Sequence, residues 1–468
     1  GYDVSDYCDV HPDFGRLETM DRLIAEAHRR GIRVILDFVP NHSSDMHSWF
    51  LESRSSRESP KRDWYVWRDA KPDGSPPNNW IAAFGGPAWE WDQKTQQYYL
   101  HSFLVEQPDL NWRNPEVERA MHDVLGFWLE RGIDGFRIDV MDRIIKDEEL
   151  RDNPPEPNEA IRRIAQTAMQ RHVYDRDWPD TFDAVKRIRQ TVDAFPERMT
   201  VGEVFGSPEN IVRYYGGEDA DGLHLAFNFP FVRIFADRWR ADHVRKRVDG
   251  FEAVLPSTCW PNHVLGNHDV DRFASRVGGG AIGQARARVA AMMLLTLRGT
   301  PFIYYGEEIG MENVDVPEEM LQDPARFYAH GRDPERTPMQ WARDGGFSRT
   351  SQTWLPYGDL SRNVEDEMKD PASLLSLYRR LIWFRRSSPA LTEGAYAALD
   401  GMPEGVYAYT RTAGDERLLV LLNFTEGEIA FDLPDGFSPR EMIIGTHDDP
   451  PADSRIELRA NEGRLLRV

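Results

Sequence analysis

The chain has 468 residues, enough for two or three domains and a large core, and its composition is ordinary for a globular protein. Its formal net charge of −21 argues against nucleic acids and anionic membrane surfaces as partners, and it is compatible with a neutral substrate. Two cysteines, Cys8 and Cys259, give no disulfide framework and predict a reducing, cytoplasmic location. No apolar stretch reaches membrane-spanning length, so we expect no membrane partner.

A helix, an Arg-Gly pair and an apolar strand follow one another three times along the chain. Near-continuous apolar runs are typical of parallel strands that are covered on both faces. The alternation therefore predicts α/β units around a parallel sheet. The helices are predicted at 16–30, 114–130 and 285–297, and the strands after them at 32–39, 135–140 and 300–305. Three more strands are predicted at 199–204, 223–228 and 263–266, which makes six.

Two stretches depart from this pattern. Residues 45–112 are rich in Trp, Pro, Gly, Asn and charge, show no sustained periodicity and are too long for a plain loop. After Pro389 the helices give way to short β runs. We therefore predict a main α/β domain formed by 1–44 and 113–388, a small inserted subdomain at 45–112 and an antiparallel β domain at 389–468.

Polar residues follow four of the predicted strands at the same point of the pattern. In a barrel of parallel strands the C-terminal strand ends meet at one face, where the chemistry lies. Each polar group alone has an ordinary interpretation, such as a turn, a surface histidine or a solvated acid, but their shared position favours acid–base chemistry on a neutral polyol. The four groups are Asp37 to Ser44, Arg137 with Asp139, Gly202 with Glu203, and Gly266 to Asp269.

Arg137 and Asp139 are the most informative pair. Residues two apart in a strand point to the same face, so the guanidinium would hold the carboxylate ionised and oriented. Such a carboxylate suits a nucleophilic glycosidase, and a structural ion pair is the alternative. A zinc site made by His42, His268, Asp139 and Asp269 is disfavoured because the chain has neither H-E-x-x-H nor clustered Cys/His pairs. The chain also has no G-x-S-x-G, which disfavours a serine nucleophile.

The stretches DFVPNH, GFRIDV, GEV and GNHD, in this order and spacing, resemble the four shared regions of the α-amylase superfamily, glycoside hydrolase family 13. QPDLN at 107–111, and GRD at 331–333 followed by RTPMQW at 336–341, resemble its oligo-1,6-glucosidase and α-glucosidase branch. The resemblance covers essentially the whole chain. It implies a (β/α)8 TIM barrel with an inserted subdomain after the third strand and a C-terminal antiparallel β domain.

Family members have a first strand, a first helix and a second strand before the position of Gly1. The resemblance thus implies a chain that starts inside the barrel, which would account for six predicted strands where eight are expected. A barrel that lacks two strands has open sheet edges, so we expect residues 1–468 alone to fold poorly. No cofactor is expected for the chemistry, and a structural calcium is expected only in the part before Gly1.

The resemblance also implies a role for individual residues. Asp139 would be the nucleophile, Glu203 the general acid and base, and Asp269 a third acid that binds the sugar 2- and 3-hydroxyls. The implied substrate-binding residues are Tyr2 stacking under the glucose, His42 and His268 bonding its hydroxyls, Arg137 holding Asp139, Arg332 with Arg336 as a close alternative, and Phe84 and Phe103 as pocket-wall aromatics. Asp37 would support the pocket. No metal ligand is implied.

The implied activity is that of a retaining α-glucosidase acting on the terminal bonds of short oligosaccharides. Val140 follows the proposed nucleophile, and in the resembling enzymes valine there goes with tolerance of α-1,6 bonds, so isomaltose-type substrates are favoured over maltose. A transglucosylase or a sucrose isomerase would use the same acids and is the alternative. A non-catalytic relative is disfavoured because Asp139, Glu203 and Asp269 are all present, and a carbohydrate-binding module is disfavoured by the barrel-sized repeat.

Overall fold

The computed structural model describes residues 2–235, 238–327, 331–350, 352–447 and 455–468. The chain divides into two units. The first unit comprises Gly1–Phe227 with Pro256–Cys259, and the second unit comprises Asn228–Leu255 with Trp260–Val468.

The first unit contains a parallel sheet with the strand order β1-β5-β6-β7 and a separate antiparallel sheet with the order β2-β4-β3. The antiparallel sheet lies wholly within residues 45–112. The strands are β1 Ile35–Phe38, β2 Trp67–Arg68, β3 Trp89–Asp92, β4 Gln97–Leu100, β5 Gly135–Ile138, β6 Met199–Gly202 and β7 Leu225–Ala226.

Helix α3 of the first unit (Pro115–Glu130) begins at an N-cap signal that is visible in the sequence. The Asn114 side chain accepts a hydrogen bond from Glu116 N at 2.9 Å, and Pro115 occupies the first helical position of α3. The apolar stripe of α3, which includes Val117, Met121 and Trp128, is buried. The helices are α1 Leu17–Arg29, α2 Ser48–Ser53, α3 Pro115–Glu130, α4 Glu159–Arg162, α5 Asp180–Asp193 and α6 Pro208–Tyr214.

The second unit combines one parallel strand pair with antiparallel sheets near its C-terminal end. Strands β8 and β9 pair in parallel, five strands form an antiparallel sheet in the order β10-β11-β12-β16-β14, and β13 pairs with β15. The strands are β8 Asn262–Val264, β9 Thr300–Phe302, β10 Ala395–Ala398, β11 Val406–Ala413, β12 Glu416–Asn423, β13 Ile429–Asp432, β14 Glu441–Gly445, β15 Arg455–Leu458 and β16 Gly463–Arg467.

The core of the second unit is built around one helix, α10 (Gly280–Thr296), whose last ten residues except Arg288 are buried. Its C-terminal carbonyl groups face away from water and receive hydrogen bonds from two buried arginines. Arg411 donates to Thr296 O at 2.7 Å, and Arg385 donates to Leu295 O at 2.9 Å. The helices are α7 Phe229–Val232, α8 Ala241–Val254, α9 Phe273–Arg276, α10 Gly280–Thr296, α11 Val364–Glu367, α12 Leu374–Ser387 and α13 Pro389–Thr392.

The six strands predicted from the sequence are present. Four of them, β1, β5, β6 and β7, form the parallel sheet of the first unit, and the other two are the parallel pair β8 and β9. Among the described residues, no helix combines the length and apolar character needed to cross a membrane.

Candidate active site

Asp139 and Glu203 directly follow two neighbouring parallel strands. The hydrogen-bonded register of these strands places the two residues side by side. Ile138 of β5 lies opposite Gly202 of β6. Beyond these strands the ladder continues, because Asp139 N donates to Phe38 O at 2.9 Å and Glu203 N donates to Ile138 O at 2.8 Å. The first two carboxylates of the predicted site therefore lie side by side at one sheet edge.

Arg137 connects these two carboxylates directly. Its Nη1 donates to Asp139 Oδ1 at 2.6 Å and its Nη2 donates to Glu203 Oε2 at 2.6 Å. The three residues are each less than one-tenth exposed. A planar guanidinium fork fixes the direction of both partners, so both carboxyl groups are oriented before any substrate arrives.

The neighbouring carboxylates stabilise the positive charge of Arg137. Burial alone would lower the pKa of Arg137, but the carboxylates of Glu203, Asp139 and Asp37, with the hydroxyl of Tyr2, outweigh it, and the pKa lies above its ordinary value. Arg137 is thus a cation near neutral pH. The predicted pairing of Arg137 with Asp139 is present in the structure, and the second bond to Glu203 was not foreseen.

Val140, the residue after Asp139, has a left-handed backbone with φ 35° and ψ 52°. This is an unusual conformation for a β-branched residue. It turns two successive N–H groups towards the neighbouring strand end: Val140 N lies 3.3 Å from Glu203 Oε2, and Met141 N donates to Glu203 O at 3.0 Å. Local backbone strain of this kind is characteristic of functional sites.

Tyr2 lies at the same strand ends. Its hydroxyl donates to Asp37 Oδ2 at 2.6 Å and accepts a longer bond of 3.4 Å from Arg137 Nη1. The Arg137 guanidinium is 5.5 Å from the centre of the Tyr2 ring. Asp37 therefore holds Tyr2 in place.

His42 is buried beside Tyr2. Its Nε2 lies 3.1 Å from Tyr2 O and 3.2 Å from Gln107 Nε2, and its Nδ1 lies 3.1 Å from the amide nitrogen Nδ2 of Asn41. These contacts fix the orientation of the ring on both sides. Burial lowers the pKa of His42 in spite of Asp139 and Asp109, so the ring is neutral near pH 7.

The two predicted wall aromatics belong to the same group of side chains. The ring centre of Phe103 is 5.2 Å from that of His42 and 6.2 Å from that of Phe84. The first unit therefore brings together seven of the residues that the sequence singled out: Tyr2, Asp37, His42, Phe103, Arg137, Asp139 and Glu203, with Phe84 behind Phe103.

In the second unit, the predicted residues meet at Asp269. Arg332 Nη1 donates to Asp269 Oδ1 at 2.6 Å, and Arg336 Nη2 donates to the same oxygen at 3.1 Å. His268 Nε2 lies 3.3 Å from Asp269 Oδ2. Arg336 also donates from Nε to His268 O at 2.8 Å. The sequence offered Arg332 and Arg336 as alternatives, but both arginines contact the acid.

Asp269 is stabilised as an anion by this arrangement. Burial acts to raise its pKa, but His268, Arg332 and Arg336 outweigh burial and hold the pKa below its ordinary value. Arg332 is itself oriented by Asp323, which accepts from Arg332 Nε at 2.8 Å and from Nη2 at 2.9 Å. A carboxylate that is ionised and held by two guanidinium groups is suited to accept hydrogen bonds from hydroxyl groups.

Sequence reasoning missed a buried ion pair that supports His42. Lys146 Nζ lies 2.6 Å from Asp109 Oδ2 and donates to Asn41 Oδ1 at 2.8 Å. Asp109 is fully buried and also accepts from Ser102 N at 2.8 Å. Since Asn41 contacts His42, the pair fixes the ring from behind. The signal that could have found it is Lys146 directly after the apolar pair Ile144 and Ile145.

Replacing Lys146 with methionine is expected to lower the free energy of unfolding by about 3–5 kcal/mol, because it leaves the buried Asp109 carboxylate without its cation. We also expect KM to rise, since His42 loses its anchored neighbour Asn41. Urea unfolding and steady-state kinetics measure the two effects.

The matched control is Lys186→Met, which removes an exposed ion pair whose Nζ lies 2.7 Å from Asp221 Oδ2. Little change in stability is expected there. Equal stability losses in the two variants would contradict the importance of the buried pair.

Comparison with protein families identifies two matching regions. Residues 1–394 match the family described as alpha amylase, catalytic domain, and residues 396–462 match the family described as maltogenic amylase, C-terminal domain. A protein of Rhizobium meliloti (strain 1021) named "Probable alpha-glucosidase" is 43% identical over 455 residues, which cover 93% of this chain and 81% of that protein. The oligo-1,6-glucosidase of Parageobacillus thermoglucosidasius is 34% identical and covers 100% of this chain and 89% of its own length.

Solved structures agree with this result. The crystal structure of the alpha-glucosyl transfer enzyme XgtA matches with a TM-score of 0.91 at 35% identity and covers 100% of this chain and 88% of that one. A trehalulose synthase MutB structure matches with a TM-score of 0.89 at 34% identity, with 100% and 89% coverage. These matches confirm the predicted fold class, a (β/α)8 TIM-barrel catalytic domain followed by a C-terminal antiparallel β domain. The chain belongs to the alpha-amylase family and is a glycoside hydrolase of its α-glucosidase and oligo-1,6-glucosidase branch.

Proposed function

We propose that this enzyme hydrolyses terminal α-glucosidic bonds of short oligosaccharides with retention of configuration. The observation that carries the proposal is the double bond of Arg137 to Asp139 and Glu203 at adjacent strand ends. One guanidinium can hold two carboxyl groups only if they are close together. Retaining glycosidases need a separation of about 5–5.5 Å between the two carboxyl groups, whereas inverting enzymes need a wider gap for water.

In the proposed first step, Asp139 attacks the anomeric carbon of the terminal glucose and Glu203 gives its proton to the departing oxygen. A covalent glucosyl-enzyme and the shortened sugar result. In the second step, Glu203 takes a proton from a water molecule, which displaces Asp139 and releases glucose. The chemistry is proposed to need no cofactor, because the two carboxyl groups supply both the nucleophile and the proton.

Neighbouring groups are proposed to bind the glucose. Tyr2 stacks on the ring, His42 and His268 bond its hydroxyls, and Phe84 and Phe103 form part of the wall. Asp269 is proposed to bind the 2- and 3-hydroxyls most strongly as the ring flattens, which lowers the barrier in addition to binding the substrate. Arg332 is proposed to reach the outermost hydroxyl, and its place beside Arg336 on Asp269 supports a role for both.

The proposed domains are those of the sequence, with 1–44 and 113–388 as catalytic barrel, 45–112 as subdomain B and 389–468 as C-terminal domain. The separate antiparallel sheet within 45–112 and the five-stranded sheet from Ala395 to Arg467 support this division. A reducing compartment, the cytoplasm, is proposed because Cys8 and Cys259 are both free thiols.

The direct test is glucose release from isomaltose, maltose and sucrose, with Asp139→Asn as the blank. We expect isomaltose to be cleaved fastest. A folded wild-type protein that releases glucose from none of the three sugars would contradict the proposal. Cleavage of maltose alone would leave the chemistry intact and refute the preference for α-1,6 bonds.

Changing Val140 to threonine tests the linkage preference. We expect the ratio of kcat/KM for isomaltose to that for maltose to fall by about tenfold, the scale on which a single small group discriminates in an apolar pocket. Val212→Thr, on the half-buried part of α6, is the matched control and should leave the ratio unchanged. An unchanged ratio in Val140→Thr would refute the role given to Val140.

A second candidate function is glucosyl transfer or sucrose isomerisation. The similarity to an alpha-glucosyl transfer enzyme and to a trehalulose synthase favours it. The same glucosyl-enzyme on Asp139 would then react with a sugar hydroxyl and not with water. Analysis of the products from sucrose decides between them, because hydrolysis gives equal amounts of glucose and fructose, and isomerisation gives a new disaccharide with little free glucose.

A further inference from the structure

Three main-chain carbonyl groups of the second unit accept hydrogen bonds from the guanidinium of Arg276, the last residue of α9. Its Nε donates to Asp271 O at 2.8 Å, its Nη2 donates to Leu265 O, and its Nη1 donates to Val232 O. The donors of a guanidinium have a rigid, planar arrangement, so they fix the relative positions of the groups that accept from them. Arg276 therefore holds three points of the main chain together.

Two of these carbonyl groups lie at the ends of the loop that carries Asp269. This loop follows β8 and precedes α9, and it lies outside every helix and strand. Leu265 O is at its start and Asp271 O is near its end. A single side chain thus connects both ends of the loop and sets the distance between them.

Arg276 acts on a different part of the loop from the two arginines that contact Asp269. Arg332 and Arg336 donate to the Asp269 carboxylate and set its direction. The main-chain position from which this carboxylate projects depends on where the loop begins and ends. Those two points are the ones that Arg276 binds, although it does not contact Asp269 itself in the described structure.

Arg276 lies half-buried against the underside of the loop. A Cβ atom at Gly266 would lie 3.9 Å from Arg276 Nη2 and 3.7 Å from Glu307 Oε2, so both side chains pack against this glycine. Burial lowers the pKa of Arg276 to about 10 although Glu307 and Asp271 act in the opposite direction, and the group is therefore charged near neutral pH. Hydrogen bonds from a charged donor are stronger than those from a neutral one, which favours a firmly held loop.

We propose that Arg276 is a positioning residue that holds both ends of the loop and so places Asp269 against the 2- and 3-hydroxyls of the terminal glucose. The inference rests on the proposed function and adds to it a residue that contacts neither the substrate nor the reacting atoms. A displacement of about 1 Å caused by a change away from the chemistry can lower a rate by about 10²-fold. Because Asp269 is proposed to bind most strongly as the ring flattens, loss of Arg276 should lower kcat more than it raises KM.

The test compares two substrates of the Arg276→Met variant, 4-nitrophenyl α-glucoside and its 2-deoxy analogue. We expect kcat/KM for the glucoside to fall by about 30-fold, the scale of a hydrogen bond to a charged group. For the 2-deoxy analogue we expect a fall of about fivefold or less. Its contact from the 2-hydroxyl to Asp269 is already missing, so only the contact to the 3-hydroxyl is left to weaken.

Two further variants complete the experiment. Arg276→Lys keeps the charge but reaches fewer of the carbonyl groups, so we expect a smaller loss with the same preference between the two substrates. Arg286→Met is the matched control. Arg286 is also half-buried and donates to a main-chain carbonyl, Val277 O, at 2.9 Å, but it binds no part of the Asp269 loop. Any effect of Arg286→Met should be the same on both substrates.

The ratio of the two losses decides the outcome. Equal losses on both substrates, in an active enzyme, would make Arg276 a structural residue and overturn the inference, and so would failure of both Arg276 variants to fold. Wild-type kinetics in a folded Arg276→Met protein would overturn it as well. If the folded wild type hydrolyses neither the glucoside nor the sugars named above, the proposed function itself fails and the inference fails with it.

Discussion

Replacement of Asp139 with asparagine is expected to lower kcat on isomaltose and maltose by about 10⁴-fold or more, the scale on which the loss of a covalent nucleophile acts. Asparagine has nearly the same shape and keeps an oxygen that accepts from Arg137, so the fold should survive. It has no negative charge and cannot form the glucosyl ester. The measurement is steady-state glucose release, with the Tm of each variant recorded alongside.

A second variant at this position separates chemistry from structure. Asp139→Gly removes the carboxylate and leaves space for a small anion. Added azide should then attack α-glucosyl fluoride from the face that Asp139 occupied and give β-glucosyl azide. Asp123→Asn, an exposed acid of α3, is the control and should behave as the wild type. Wild-type kcat in a folded Asp139→Asn protein would refute the assignment of Asp139 as nucleophile.

Replacement of Arg137 with methionine is expected to lower kcat/KM by about 10³-fold, because it leaves the carboxylates of Asp139 and Glu203 buried without their shared cation. Methionine also removes the two hydrogen bonds of 2.6 Å that orient these carboxyl groups. The measurement is steady-state kinetics on isomaltose, with the Tm of each variant recorded alongside.

Arg137→Lys is a second variant that keeps the prediction testable if Arg137→Met does not fold. A lysine keeps the charge but reaches only one carboxylate at a time, so its activity should fall between those of the other two proteins. Arg131→Met removes a bond of 2.6 Å to Asp21 Oδ1 elsewhere in the first unit and should leave kcat/KM unchanged. A folded Arg137→Met protein with the wild-type kcat/KM would show that Arg137 does not orient the two carboxyl groups for catalysis.

The sequence was most informative where one pattern repeats. Buried parallel strands have continuous apolar runs, and the Arg-Gly pairs end the helices before them, so the strands were foreseen with boundaries only a few residues too long. The strand predicted at 135–140 ends at Ile138 in the structure. The difference arises because Val140 adopts a left-handed backbone conformation and not an extended one. No local sequence pattern predicts this conformation for a β-branched residue.

The C-terminal strands β10, β11, β14 and β16 were not predicted individually. The backbone groups of these strands are hydrogen-bonded in antiparallel pairs. For example, β12 pairs with β11 on one side and with β16 on the other. Such strands depend on partners many residues away, and β propensity alone is a weak guide to them. The helices α5 and α8 were also missed, since their polar residues obscure a narrow buried stripe.

Within the site, side chains close in the sequence were paired correctly, and those distant in the sequence were not. Arg137 and Asp139 lie two residues apart in one strand, so their contact follows from strand geometry. The bond from Arg137 to Glu203 joins residues 66 positions apart and depends on the order of strands in the sheet. The same holds for Lys146 with Asp109, which lie 37 positions apart in the sequence.

The most direct test of the central claim is the anomeric configuration of the first glucose released. Proton NMR during the first minutes of isomaltose hydrolysis distinguishes the two anomers before they equilibrate. Two displacements, first by Asp139 and then by water, predict that α-glucose appears first and that the β anomer grows only by mutarotation. β-Glucose as the first product would mean a single displacement by water, and it would contradict a covalent intermediate on Asp139.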